Sequence, residues 1–211
     1  MKDRLRHVRW IGGGTGAGKS TIARMLADEH GLRLYGSDAT LGDHTRRSNP
    51  VEHPLIHAFM AMDMDERWVS RSPSEMLETF HGFQGEAFEF IIEDLLALPD
   101  DPLILAEGFR LLPRLVAPLL SRPDQAVWLV PTPELRRAAF DGRGFTWEIP
   151  QKTSDPDRAL ANLLVRDQLF TSELASEAVA LQLTVIDVDI EMSLNQVERL
   201  VGEALGFATR S

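Results

Sequence analysis

Short runs of consecutive apolar residues alternate along this chain with stretches in which apolar positions recur every three or four residues. The first pattern suits strands covered on both faces, the second helices covered on one. Val8-Arg9-Trp10-Ile11 reads as a buried strand, and Lys19 to His30 as a helix stopped by Gly31. Further strands are expected at Leu32-Arg33-Leu34-Tyr35, Leu103-Ile104-Leu105-Ala106, Ala126-Val127-Trp128-Leu129-Val130 and Leu183-Thr184-Val185-Ile186. Ser72-Pro73-Ser74-Glu75 combines a capping box with proline at the first helical position. Leu77, Phe80, Phe83, Ala87, Ile91 and Leu95 then predict one long helix, kinked at Gly82 and Gly85 and ended by Pro99-Asp100-Asp101-Pro102. Residues 112–120 are apolar at helical intervals, and a helix is expected from near Pro156 towards Ala180. Ser193 caps a last helix with Val197, Leu200, Val201 and Leu205 on one face. Segment 39–71 has no clear period.

Strands alternating with helices imply right-handed crossovers, hence an α/β fold: a three-layer sandwich with a five-stranded parallel sheet. A length of 211 residues suits one domain, 1–211, in which 39–100 would form a helical acceptor-side region and 132–170 a helical lid. The lid expectation comes from Asp141-Gly142-Arg143-Gly144 and Pro150, which interrupt a helix begun at Thr132-Pro133-Glu134.

Charge narrows the partners. Lys+Arg number 22 against 32 Asp+Glu, and a net charge of -10 repels nucleic acid and anionic membrane surfaces, which favours a small-molecule substrate. The absence of cysteine excludes disulfides and thiolate metal sites, and no apolar run is long enough to cross a bilayer. The charged start, Met1 to His7, leads into a strand instead of a signal-peptide core, so a cytoplasmic location is expected. Nothing in the pattern encodes an oligomeric state.

The strongest chemical signal is Gly13-Gly14-Thr15-Gly16-Ala17-Gly18-Lys19-Ser20, a Walker A spacing placed after a strand and before a helix. Glycines let backbone N–H groups turn inward on phosphates, and the following helix adds the positive end of its dipole. Lys19 is expected on the β- and γ-phosphates, Ser20 on magnesium, and Thr21 beside them in the first helical turn. The implied ligands are ATP and Mg²⁺.

In these features the sequence resembles small-molecule kinases of the P-loop superfamily, such as the shikimate, gluconate and uridine kinases and chloramphenicol phosphotransferase. The resemblance implies the fold of P-loop-containing nucleoside triphosphate hydrolases and transfer of the γ-phosphate to a small-molecule hydroxyl. It also implies that Asp38, at the end of the second strand, contacts the acceptor hydroxyl, and that Glu107 in Glu107-Gly108-Phe109 holds magnesium or orients the acceptor. Transfer requires positive charge on the moving phosphoryl group, for which Arg136, Arg137, Arg143, Arg158 and Arg166 are available, with Arg143 assigned to catalysis and Arg136 to the nucleotide. Arg46, Arg47 and Arg110 follow the second and third strands and could bind an anionic group on the acceptor.

Two other readings compete: a nucleotide-dependent switch or hydrolase acting on a protein partner, and a nucleoside monophosphate kinase. The first is weakened because the chain has no Asn/Thr-Lys-x-Asp motif, no Leu-Ser-Gly-Gly-Gln signature and no Asp-Glu Walker B. Arg46, Arg47 and Arg110 keep the second open. His53 and His57, four residues apart, lack a third zinc ligand, and Asp63-Met64-Asp65-Glu66 lacks a calcium-loop pattern.

Overall fold

The consecutive apolar runs pair side by side because only a sheet covered on both faces can bury them entirely. A computed structural model of the chain describes residues 1–142 and 144–207. Strands β1 (Val8–Gly13), β2 (Arg33–Gly36), β3 (Ile104–Glu107), β4 (Ala126–Pro131) and β5 (Thr184–Val188) form one five-stranded sheet in the order β2-β3-β1-β4-β5. Every neighbouring pair is parallel.

The connecting helices are α1 (Lys19–His30), α2 (Leu41–Arg47), α3 (Pro54–Ala61), α4 (Met64–Trp68), α5 (Pro73–Thr79) and α6 (His81–Gln84). They continue as α7 (Phe88–Ala97), α8 (Pro113–Val116), α9 (Pro133–Gly142), α10 (Gly144–Gln151), α11 (Pro156–Ala180) and α12 (Leu194–Ala204). No helix among the described residues is long and apolar enough to cross a membrane.

Strand residues divide between two cores with a period of two. Trp10, Ala106 and Trp128 pack with Ile91 and Leu95 of α7 and with Phe170 and Leu174 of α11. Ile11, Leu105, Val127 and Leu129 pack on the other face with Ile22 and Leu26 of α1 and Val197 and Val201 of α12. Helix, sheet and helix thus form the three layers. From β1 the chain steps outward to β2, returns through β3, and crosses to β4 on β1's other side. That reversal opens a crevice at the carboxyl ends of β1 and β3.

The single long helix expected from about 73 is instead three, α5, α6 and α7. Gly85 and Ala87 adopt left-handed φ values of 85° and 62°, which no helix interior accommodates. Glu86, held between them, accepts hydrogen bonds from the Leu55 and Ile56 N–H groups and so caps α3. The aperiodic segment 39–71 forms three short helices stabilised by such end contacts; Asp63 and Glu66 cap α4 reciprocally. A separate aromatic cluster of Phe59 and Trp68 joins this region to Ala159 and Leu163 of α11.

Candidate functional site

The glycine-rich segment leaves the carboxyl end of β1 and enters α1. Gly13, Gly16 and Gly18 take positive φ values of 131°, 87° and 80°. At Gly14 the need is for space: a Cβ there would lie 2.6 Å from Thr171 Oγ1 of α11. The loop is held by the Gly14 N–H donating to the Leu129 carbonyl at 2.9 Å, and Lys19 Nζ donates to the Gly14 carbonyl at 2.8 Å. Lys19 is buried, so its ammonium is fixed over the loop. The Thr21 N–H donates to the Gly18 carbonyl and closes the first turn of α1.

The carboxyl end of β3 brings acidic groups to the same place. Glu107 pairs in register with Ile11 of β1 and Gly36 of β2. Its carboxylate accepts the Ser20 hydroxyl at 3.0 Å. Burial and the neighbouring Asp38 charge raise the Glu107 pKa, against the opposing pull of Ser20 and Lys19. Gly108 has φ 143° and lies so close to the end of β2 that a Cβ would sit 2.6 Å from Asp38 Oδ1. Only glycine lets the two strand ends approach this closely.

Asp38 opens to solvent at the cleft, while the protein atoms crowding its carboxyl raise its pKa. Lys19, the Ser37 hydroxyl, Arg110 and the Phe109 N–H oppose that rise, and the Ser37 hydroxyl donates to Asp38 Oδ1 at 3.2 Å. Thr15, Gly16, Gly18, Lys19, Ser20, Asp38 and Phe109 together line a cleft of about 90 Å³. Residues distant in sequence therefore converge on the mouth of the loop. The chain matches no protein-family model and no curated protein. Among solved structures it resembles an uncharacterized protein from Eubacterium ventriosum ATCC 27560, 11% identical over 95% of this chain and 98% of that one, at a TM-score of 0.50. That likeness concerns the fold.

The remaining candidates fall in three groups. Arg136 is buried where α9 covers the loop; a Cβ on Gly16 would lie 3.4 Å from its Cα, and its Nε is enclosed without a hydrogen-bond partner. Arg166 is also buried, donating to Asp167 Oδ1 at 2.6 and 2.9 Å with its guanidinium 5.1–5.2 Å from the rings of Trp68, Phe80 and Phe83. Arg137 and Arg158 are exposed, and Arg143 lies outside the described residues.

Arg110 does not face the cleft as a free anion binder. Its Nη1 donates to the Ser37 carbonyl at 3.1 Å and to His44 Nδ1 at 3.0 Å, and its Nη2 to the Ala87 carbonyl at 3.1 Å. Because arginine can only donate, His44 Nδ1 must accept, which leaves Nε2–H to donate to Asp94 at 2.7 Å. Burial holds the His44 pKa down. Arg46 is exposed and paired with Asp43; Arg47 reaches Glu93 and Asp94. His53 bonds Glu89 and His57 bonds Ser48, and no cluster of three or more metal-ligating side chains occurs among the described residues. Phe109, Ser37 and Thr171 were not singled out in the sequence. A bare phenylalanine, serine or threonine carries no spacing signal; only the strand-end position next to Glu107-Gly108 pointed towards Phe109.

Proposed function

We propose that the protein is an ATP-dependent phosphotransferase with the architecture of the P-loop kinases, moving the γ-phosphate to a hydroxyl of a small molecule. The observation that carries this reading is the convergence of Lys19, Ser20, Glu107 and Asp38 on one cleft at the carboxyl ends of β1, β2 and β3. The loop suits a polyphosphate: its Gly14 and Gly18 carbonyls are taken by Lys19, Thr21 and Ile22, while the helix entry at Lys19 leaves N–H groups unpaired within the helix. The Ser20 and Glu107 oxygens, 3.0 Å apart, suit a hard divalent cation whose other ligands would be phosphate and water. When bound, magnesium would offset the charge of the β- and γ-phosphates.

The chain's own groups then have distinct tasks. Lys19 places positive charge on the transferring phosphoryl group. Asp38, with a raised pKa and one side open to solvent, positions the acceptor hydroxyl and takes its proton. Arg136, enclosed against the loop by α9, adds charge on the nucleotide side. Arg110 serves a positioning role, fixing the Ser37 carbonyl and with it the Asp38 side chain.

ADP release measured across sugars, sugar acids, nucleoside monophosphates and aminoglycoside or phenicol antibiotics tests the reading. Acceptor-dependent ADP release that disappears in Lys19→Ala supports transfer. Phosphate release independent of every acceptor would place the protein with hydrolases or switches instead.

A further inference from the structure

A second cavity lies at the opposite end of the sheet. It measures about 520 Å³, against about 90 Å³ for the cleft, and forms at the amino-terminal ends of β1, β3 and β4. The six residues of β1 separate the two by roughly 20 Å at about 3.3 Å per residue. Arg6, Arg9 and Arg122 contribute three guanidiniums to the cavity, Asp3 and Asp100 two carboxylates, and Leu103 an apolar wall. In a chain of net charge -10, three arginines around one hollow run against the background.

The framework that holds them is built. Gln125 is buried and uses both ends of its amide: Nε2 donates to the Arg6 and Val8 carbonyls, and Oε1 accepts from the Ser121 and Arg122 N–H groups. One side chain therefore clamps the segment bearing Arg6 and Arg9 against the turn bearing Arg122. The protein answers part of the positive charge gathered there: Arg122 pairs with Asp124 at 3.0 Å, and Arg9 Nη1 donates to the Arg6 and Val8 carbonyls. Arg9 Nε and His7 Nε2 are enclosed with no hydrogen-bond partner, and the Arg6 guanidinium has no ion-pair partner among the described residues. Burial and the nearby Arg122 charge both weigh against the Arg9 cation, with Asp124 in partial opposition. Guanidiniums that repel each other around a hollow are relieved by an anion placed among them, and their planar forks match phosphate oxygens.

We propose that this cavity binds a phosphate monoester of a polyhydroxylated small molecule, with Arg6, Arg9 and Arg122 taking the phosphate and Asp3 and Asp100 accepting from hydroxyl groups. The mixed charge selects against a bare inorganic anion, because the two carboxylates gain partners only from a ligand that carries donors. Leu103 and the arginine stems cover its carbon skeleton. The site is separate from the phosphate loop and does not depend on what the loop does.

Calorimetric titration of the full chain with ribose 5-phosphate, inorganic phosphate and ribose tests this. The expected result is 1:1 binding of ribose 5-phosphate that persists in Lys19→Ala and in wild type saturated with a non-hydrolysable ATP analogue, weaker binding of phosphate, and none of ribose. Arg6 and Arg122 are exposed, so the double variant Arg6→Gln/Arg122→Gln should fold with an unchanged Tm and lose at least about tenfold in affinity, about 1.4 kcal/mol. Binding that vanishes in Lys19→Ala or under the analogue, or that is unchanged in the double variant, overturns the proposal. So does an absence of ribose 5-phosphate binding at millimolar concentration.

Discussion

At the scale of single residues, the cleft concentrates charge that is useful to chemistry and awkward for folding. Lys19→Ala should leave the protein folded and lower turnover at least about a hundredfold, about 3 kcal/mol, since its contact matters most as charge develops on the phosphoryl group. Circular dichroism with steady-state ADP release checks both halves. Asp38 must be ionised to take a proton, and its pKa is raised, so activity should fall on the acid side with a midpoint above the ordinary value of 3.8. Asp38→Asn should abolish that limb and lose about a hundredfold or more in transfer while nucleotide affinity stays near wild type. Loss of nucleotide affinity at an unchanged Tm would instead assign Asp38 to the metal's surroundings. His81 supplies a pH effect on stability. It is buried between Phe59 and Phe80, and burial, helped by Arg110, lowers its pKa from 6.5 to about 4. The unfolded chain then binds the proton more readily than the folded one, so the stability contribution is full above pH 6.5 and is lost as pH falls towards 4. Its loss between pH 7 and pH 4 is on the order of 3 kcal/mol. His81→Phe should melt higher than wild type at pH 4.5 by a margin that shrinks towards pH 7.

At the scale of elements, how much could be read from sequence depended on whether the determining contacts were local. Each strand was legible because a run such as Leu103-Ile104-Leu105-Ala106 can be buried only between two layers. The glycine-rich turn from β1 into α1 was legible because its glycines and Lys19 are contiguous. The break between α5 and α7 was not, since Phe80, Phe83 and Ile91 keep a helical period straight through it. What interrupts the helix is Glu86 turning to cap α3, thirty residues earlier in the chain. The bonds of Arg110 were not legible for the same reason, as its three acceptors come from Ser37 just after β2, from α2 and from the turn before α7. Lid behaviour also belongs to this scale. α9 reaches the loop through Arg136 and Ala139 near Gly16, and nucleotide binding is expected to tighten that contact. Amide hydrogen exchange across 132–155 should slow at least about tenfold with an ATP analogue, and equal protection with and without it would rule out closure.

At the scale of the whole molecule, α11 spans what the sheet order keeps apart. Its first half meets α4 and α5, where Asn162 donates to the Trp68 and Val69 carbonyls, and just past its midpoint Phe170 stacks on Phe83 of α6 with ring centres 3.8 Å apart. Just before the helix midpoint lie Arg166 and Asp167, and one turn beyond Asp167 stands Thr171, against Gly14 of the glycine-rich loop. Under the proposed function, this helix has one end against the helices of 39–100, which would receive the acceptor, and its middle against the loop, so a shift of the helix for one ligand would be felt by the other. Thermodynamic reciprocity then makes any coupling in binding equal in both directions: acceptor and nucleotide are expected to tighten each other's dissociation constant by the same factor, on the order of fivefold or more. Phe170→Ala would uncouple them while each ligand still bound alone. Initial-rate plots at varied concentrations of both substrates should accordingly intersect above the horizontal axis in the wild type and on it in the variant.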